Sequence, residues 1–166
     1  MTRTLITAAA LASLVTLPFP ARAEDLASQI VGLWKYVSLT TKEVASGKET
    51  KLFGDNPKGY LLYTKSGRSM WVLVGDNRAK PAGAAVTDAE AVGLFRTLTS
   101  GSGTYKIEGM TLTAAFDTSW NERWTGTTQK RYIEIVGNKL TITSDPVKAT
   151  ATGLDIVITN VLERVE

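Results

Sequence analysis

The 166-residue chain contains no cysteine and no histidine. Without cysteine there is no thiol nucleophile, no thiolate metal site and no disulfide. Without histidine there is no Ser-His-Asp triad, no imidazole general base and no His-ligated zinc or haem. Cationic runs are missing too, since Lys130-Arg131 is the only adjacent basic pair. Nucleic-acid binding rests on a clustered basic footprint, so no nucleic-acid partner is expected. Long apolar runs are confined to Leu5–Leu17. That run is shorter than the roughly 20 residues of a membrane-spanning helix.

This apolar run has a specific context. Arg3 precedes it, Pro18 and Pro20 break it, and Ala21-Arg22-Ala23 has the A-x-A form of a cleavage site. Residues 1–23 therefore read as a secretory signal peptide cleaved after Ala23, leaving a domain over 24–166. Cleavage removes Arg3 and Arg22, so Lys plus Arg falls from 19 to 17 against 16 acids, and the formal charge falls from +3 to +1. A lipoprotein anchor needs a cysteine at the new N-terminus. The expectation is a periplasmic or secreted protein with no integral membrane segment in the mature chain. A domain without disulfides must rely on its core, and this length suffices for one.

The mature chain reads as short strands separated by Gly, Asn, Asp and Pro turns. Strands are predicted at Gly32–Thr40, Tyr60–Thr64 and Ser69–Val74, the last two flanking Ser66-Gly67. Thr87-Asp88-Ala89-Glu90 is a capping box, followed by Ala91, Leu94, Phe95 and Leu98 at helical spacing. One helix is predicted over Asp88–Leu98, with a narrow apolar face lying against something larger. Strands then resume at Gly103–Glu108, Met110–Asp117, Thr127–Val136 (taken as the longest), Lys139–Ser144 and Leu154–Arg164. Eight strands joined mostly by hairpins fit an all-β, antiparallel up-and-down barrel, which satisfies every edge and leaves room for a small ligand. A two-sheet sandwich is the competing fold.

The chain resembles the lipocalin-like domain family of bacteria and fungi. The resemblance rests on Gly32-x-Trp34-x-x-Val37-Ser38, then Asn56-Pro57-Lys58-Gly59-Tyr60-Leu61-x-Tyr63-Thr64-x-x-Gly67. It continues through Gly103-Thr104-Tyr105, Asn121-x-x-Trp124-x-Gly126-Thr127-x-Gln129-x-Arg131, Leu140-Thr141-Ile142 and Glu163-Arg164-Val165. One departure is Leu162, where members often carry an aromatic. The resemblance implies a calycin-type barrel with a cavity, not a reaction. It also implies that Trp34 plugs one end of the barrel, with Arg164 stacked on its ring as a cation–π contact.

Alternation along strands assigns the interior. Tyr105, Ile107, Met110, Leu112, Ala114, Phe116, Leu140 and Ile142 are expected to point inward. Gln129 and Arg131 share the face of Ile133 and Ile135, and Asn160 shares that of Ile156, Ile158 and Leu162. Arg131 is then either satisfied by a protein carboxylate or backbone carbonyls, or turned out by a bulge, or it meets a ligand. In the last case Arg131, Gln129 and Asn160 take the carboxylate or carbonyl of a mainly apolar or amphipathic molecule, a task suited to a planar fork of donors. Tyr63, on the face of Leu61, together with Tyr105 and Phe116, would line the pocket. Trp71 is a further candidate, although both faces of its strand are apolar. Trp120 and Trp124 lie in a loop, as a lid on the rim or as an exposed stacking pair.

Other chemistry finds little support. Asp117 and Glu122 could form a glycosidase pair, but acids beside a loop are ordinarily solvated. Asp76-Asn77 lacks the remaining ligands of an EF-hand, and Gly101-Ser102-Gly103 lacks a Walker lysine. No cofactor, metal site or catalytic set is assigned. Three functions remain open: a small-molecule binder; a cofactor-independent isomerase, cyclase or hydrolase using Tyr105, Arg131 and Gln129; and a structural envelope protein whose barrel is filled by its own side chains.

Overall fold

Strict alternation of apolar and polar side chains gives each strand one face to bury, and a closed sheet buries all such faces around one axis. The computed structural model describes residues 26–76, 78–149 and 152–166. The signal-peptide reading of residues 1–23 and the Asn77 part of the Asp76-Asn77 reading lie outside them. The strands are β1 (Gly32–Glu43), β2 (Glu49–Thr50), β3 (Lys58–Tyr63), β4 (Arg68–Val74), β5 (Leu98–Glu108), β6 (Thr111–Ser119), β7 (Thr128–Val136), β8 (Lys139–Ser144), β9 (Val147–Lys148) and β10 (Asp155–Arg164). One helix, α1 (Asp88–Arg96), interrupts them between β4 and β5. No helix among the described residues is long and apolar enough to cross a membrane.

All ladders are antiparallel between chain neighbours, and β1 also pairs with β10, from Trp34 opposite Arg164 to Glu43 opposite Ile156. That pairing closes an eight-stranded barrel of β1, β3–β8 and β10, and it decides against the sandwich. The two-residue strands β2 and β9 extend β1 and β10 at one end. Tight turns at Gly67, Gly109 and Gly137, all with positive φ, join β3–β4, β5–β6 and β7–β8 at the opposite end. The longer connections gather at the end that carries β2 and β9.

The barrel differs in detail from the sequence reading. Its longest strand is β1 with 12 residues, not Thr127–Val136. The helix stops at Arg96, where Thr97 caps it, and Leu98–Ser102 belong to β5. The capping box forms as expected, with Glu90 N–H donating to Thr87 Oγ1 and Thr87 N–H donating to Glu90. No residue of α1 is buried; its Phe95 rests on Trp120 with ring centroids 5.1 Å apart. Met110, expected inside, is 51% exposed because it sits at the tip of the β5–β6 hairpin. A helical turn at residues 26–29, not anticipated from the sequence, leads into β1 and brings Ile30 fully into the core.

The core fills the hairpin end first. Ile30, Trp34, Tyr36, Leu61, Tyr63, Leu140 and Leu162 form one cluster there. Phe53, from the connection between β1 and β3, covers part of the other end with Leu73. Gly101 and Gly103 give β5 the small residues its neighbours demand. A Cβ on Gly101 would lie 2.6 Å from the Thr118 carbonyl oxygen and also strike the Trp71 ring.

Candidate ligand-binding site

The closed end is built by the first and last barrel strands. Trp34 is fully buried and its indole N–H donates to the Ile30 carbonyl at 2.8 Å. The Arg164 guanidinium lies 4.2 Å from the Trp34 ring centroid. It also donates to the carbonyls of Val31, at 3.0 Å, and Gln29. These bonds anchor the helical turn beneath the barrel, so ring, guanidinium and turn act together as a floor.

Cross-strand neighbours in a sheet share a face, which fixes where the polar candidates point. Arg131 lies between Leu112 and Ser144, both buried. Gln129 is opposite Ala114, and Asn160 is between Leu39 and Ile142, all three of these neighbours buried. Each of the three polar residues therefore faces inward and is partly buried. Arg131 donates to Gln129 Oε1 and, at 2.9 Å, to the Lys130 carbonyl. Among the described residues no carboxylate lies within ion-pairing distance of it. Burial draws its pKa below the usual arginine value, while Tyr63 and Asp145 act in the opposite sense. An arginine remains cationic through such shifts.

The aromatic candidates fall into two groups. Tyr63 and Tyr105 meet edge to face with centroids 4.7 Å apart, and the Tyr105 hydroxyl donates to the Thr64 carbonyl at 2.8 Å. Tyr60, on the opposite face of β3, is exposed. Trp71 turns inward, leaving Met70 and Val72 outside, and its N–H donates to Thr99 Oγ1 at 3.2 Å. From Trp71 a run of rings continues through Phe116 at 5.0 Å, Trp124 at 6.3 Å and Trp120 at 6.1 Å to Phe95. Trp120 and Trp124 are thus packed on one another and on the inner wall, as a lid would be.

Tyr36 was not singled out by the alternation argument, yet it belongs to this interior. It lies on the inward row with Leu162 and Leu140, and burial raises its pKa. The Trp34-x-Tyr36 spacing carries the signal. A register shift between Tyr36 and Ser38 then flips the alternation, so Leu39 and Thr41 continue the inner face.

Two concavities lie away from this axis. One of about 240 Å³ is beside the helical turn, between Leu26, Gln29 and Met110. The other, about 530 Å³, is a shallow apolar groove on the outer face of β3–β5, lined by Tyr60, Leu62, Met70 and Val72. The carboxylates weighed as catalysts do not converge. Asp117 pairs with Arg68 at 2.6 Å and accepts from Ser102, which holds its carboxyl below the usual range, whereas Glu122 accepts from Thr125. Among the described residues no group of three His, Cys, Asp or Glu could hold a metal ion.

A closed antiparallel barrel, plugged at one end by a Trp–Arg stack and lined with polar groups towards the other, defines a lipocalin-type barrel. The sequence model of the lipocalin-like domain family matches residues 31–160, from just before β1 into β10. The chain belongs to that family. No curated protein matches it.

Proposed function

We propose that the protein binds a small, mainly apolar molecule and receives its acidic or carbonyl end at Arg131 and Gln129. The observation that carries this reading is Arg131 itself: an inward, partly buried cation with no ion pair among the described residues, Asp145 acting on it only from beyond salt-bridge distance. An uncompensated charge in a low-dielectric site is costly, and a ligand oxyanion or carbonyl compensates it. Asn160, Trp71, Phe116, Tyr63 and Tyr105 complete the lining, and Trp34 with Arg164 closes the floor. Binding takes place in the periplasm or outside the cell, a compartment read from residues 1–23.

Native mass spectrometry of the protein purified from its own host, followed by extraction, tests the reading. A reproducible bound compound of apolar body and polar end is expected. An altered compound on re-incubation would instead mark an isomerase, cyclase or hydrolase. Unchanged affinity of Arg131→Leu for every acidic ligand held by the wild type would overturn the role given to Arg131. A second reading is a barrel filled by its own side chains. The buried cluster of Trp34, Tyr36, Leu61, Leu140 and Leu162 favours it. Repeated recovery of empty protein that binds nothing in a lipid and pigment panel is its signature.

A further inference from the structure

The outer wall of the barrel is not uniformly polar. On the outward rows of β3 and β4, Leu62 lies opposite Met70 and Tyr60 opposite Val72. Met70 is 60% exposed and the other three 37–46%, so large apolar side chains stand side by side on two paired strands. Across the next ladder the same rows continue as Ser102, opposite Met70, and Ser100, opposite Val72. The wall therefore has a ridge of large side chains beside a trough of small ones. Both belong to the outer groove of about 530 Å³, whose lining includes Ser100, Gly101 and Ser102.

A contiguous apolar patch on an otherwise polar wall marks a surface that another molecule covers. Three features select a second copy of this chain as that molecule. The first is shape. A two-fold axis running along the strands, between β4 and β5, lays the ridge of each copy in the trough of the other, as an isologous contact requires. The second is charge. Lys35 and Lys58 flank the patch on the β1–β3 side and Asp117 flanks it on the β6 side. The same two-fold sets these unlike sides against each other. An anionic lipid surface selects cations alone, whereas this rim also carries Glu163, opposite Lys35. The third is area. The four apolar side chains expose on the order of 400 Å², about half of what each partner buries in a standard interface, and interfaces are a little over half apolar.

We propose that the protein forms a two-fold homodimer through the outer faces of β3, β4 and β5. The proposal is independent of the ligand reading, because the side chains that carry it point away from the barrel axis. Sedimentation velocity of the mature protein over a concentration series tests it. A patch of this size places half-dissociation at roughly 1–100 μM, read as a rise in sedimentation coefficient across that range. Met70→Lys puts a charge on the ridge and Ser100→Lys fills the trough, so each should weaken association about tenfold or more. Both sites face outward, and circular dichroism checks that each variant keeps its barrel. Met110→Lys, at the distant β5–β6 tip, should leave association unchanged. Monomer at every concentration would overturn the proposal, and retention on phosphatidylglycerol vesicles that Met70→Lys abolishes would assign the patch to a lipid surface instead. A dimer weakened by neither variant on this face, or equally by Met110→Lys, would overturn its placement. A dimer weakened by Met70→Lys alone would overturn the packing of ridge into trough.

Discussion

Replacing Arg131 with methionine should make the ligand-free protein more stable and its acidic ligands weaker. The guanidinium lies on an inward row between Leu112 and Ser144, with bonds only to its own strand. Exchanging buried charges for apolar groups of similar volume stabilises by about 1–4 kcal/mol. Arg131 is not fully sealed, so the lower part of that range, about 2 kcal/mol, applies. Gln129 Oε1 loses its donor, which costs about 1 kcal/mol. The net gain is about 1 kcal/mol. With an unfolding entropy of about 2.1 cal/mol/K per residue over roughly 140 residues, that is about 3 °C in Tm. Differential scanning calorimetry of stripped protein measures it. Loss of charge-assisted bonds should meanwhile weaken carboxylate ligands about ten- to a hundredfold. A fall in Tm of similar size would refute the reasoning, because it would mean that the protein itself, and not a ligand, satisfies Arg131.

Three other outcomes are expected. Trp34→Ala empties the floor and removes the bond to Ile30, so urea unfolding should show a loss of about 3–5 kcal/mol, with Arg164→Leu losing less. Gly101→Val drives a side chain into Trp71 and the Thr118 carbonyl, and should cost about 1–3 kcal/mol with a change in indole fluorescence. For Tyr36 and Tyr63 the folded pKa is raised by burial, so the unfolded chain releases these protons first as alkali is added. The stability they carry is whole below the ordinary phenol pKa of about 10 and is lost as pH rises above it. Near-UV circular dichroism and phenolate absorbance should reveal unfolding in that range, displaced to higher pH in Tyr36→Phe.

The hairpin half of the barrel was legible in the sequence because its strands alternate cleanly and its turns carry Gly67, Gly109 and Gly137. The first half of β5 was not. Leu98 continues the helical spacing and Thr99–Ser102 is polar and small, yet those small residues are what Trp71 requires across the ladder. Met110 failed for a related reason: alternation runs on through a turn, while the backbone does not. Arg131, Gln129 and Asn160 were placed on the inner face by alternation alone, and the ladders put them there. What alternation could not reveal was the company they keep. The absence of an ion pair at Arg131 among the described residues depends on strands far apart in the chain.

The seam between β1 and β10 also has a kinetic consequence. Along the closing edge, residues 34–43 pair with residues 156–164, so the barrel cannot shut until nearly all of the chain is available. Contacts of such wide sequence separation make folding slow, in the range of milliseconds to seconds. The Arg164 clamp on the turn before β1 forms no earlier than that seam. Until residues 156–164 have been made, the chain is therefore an open sheet.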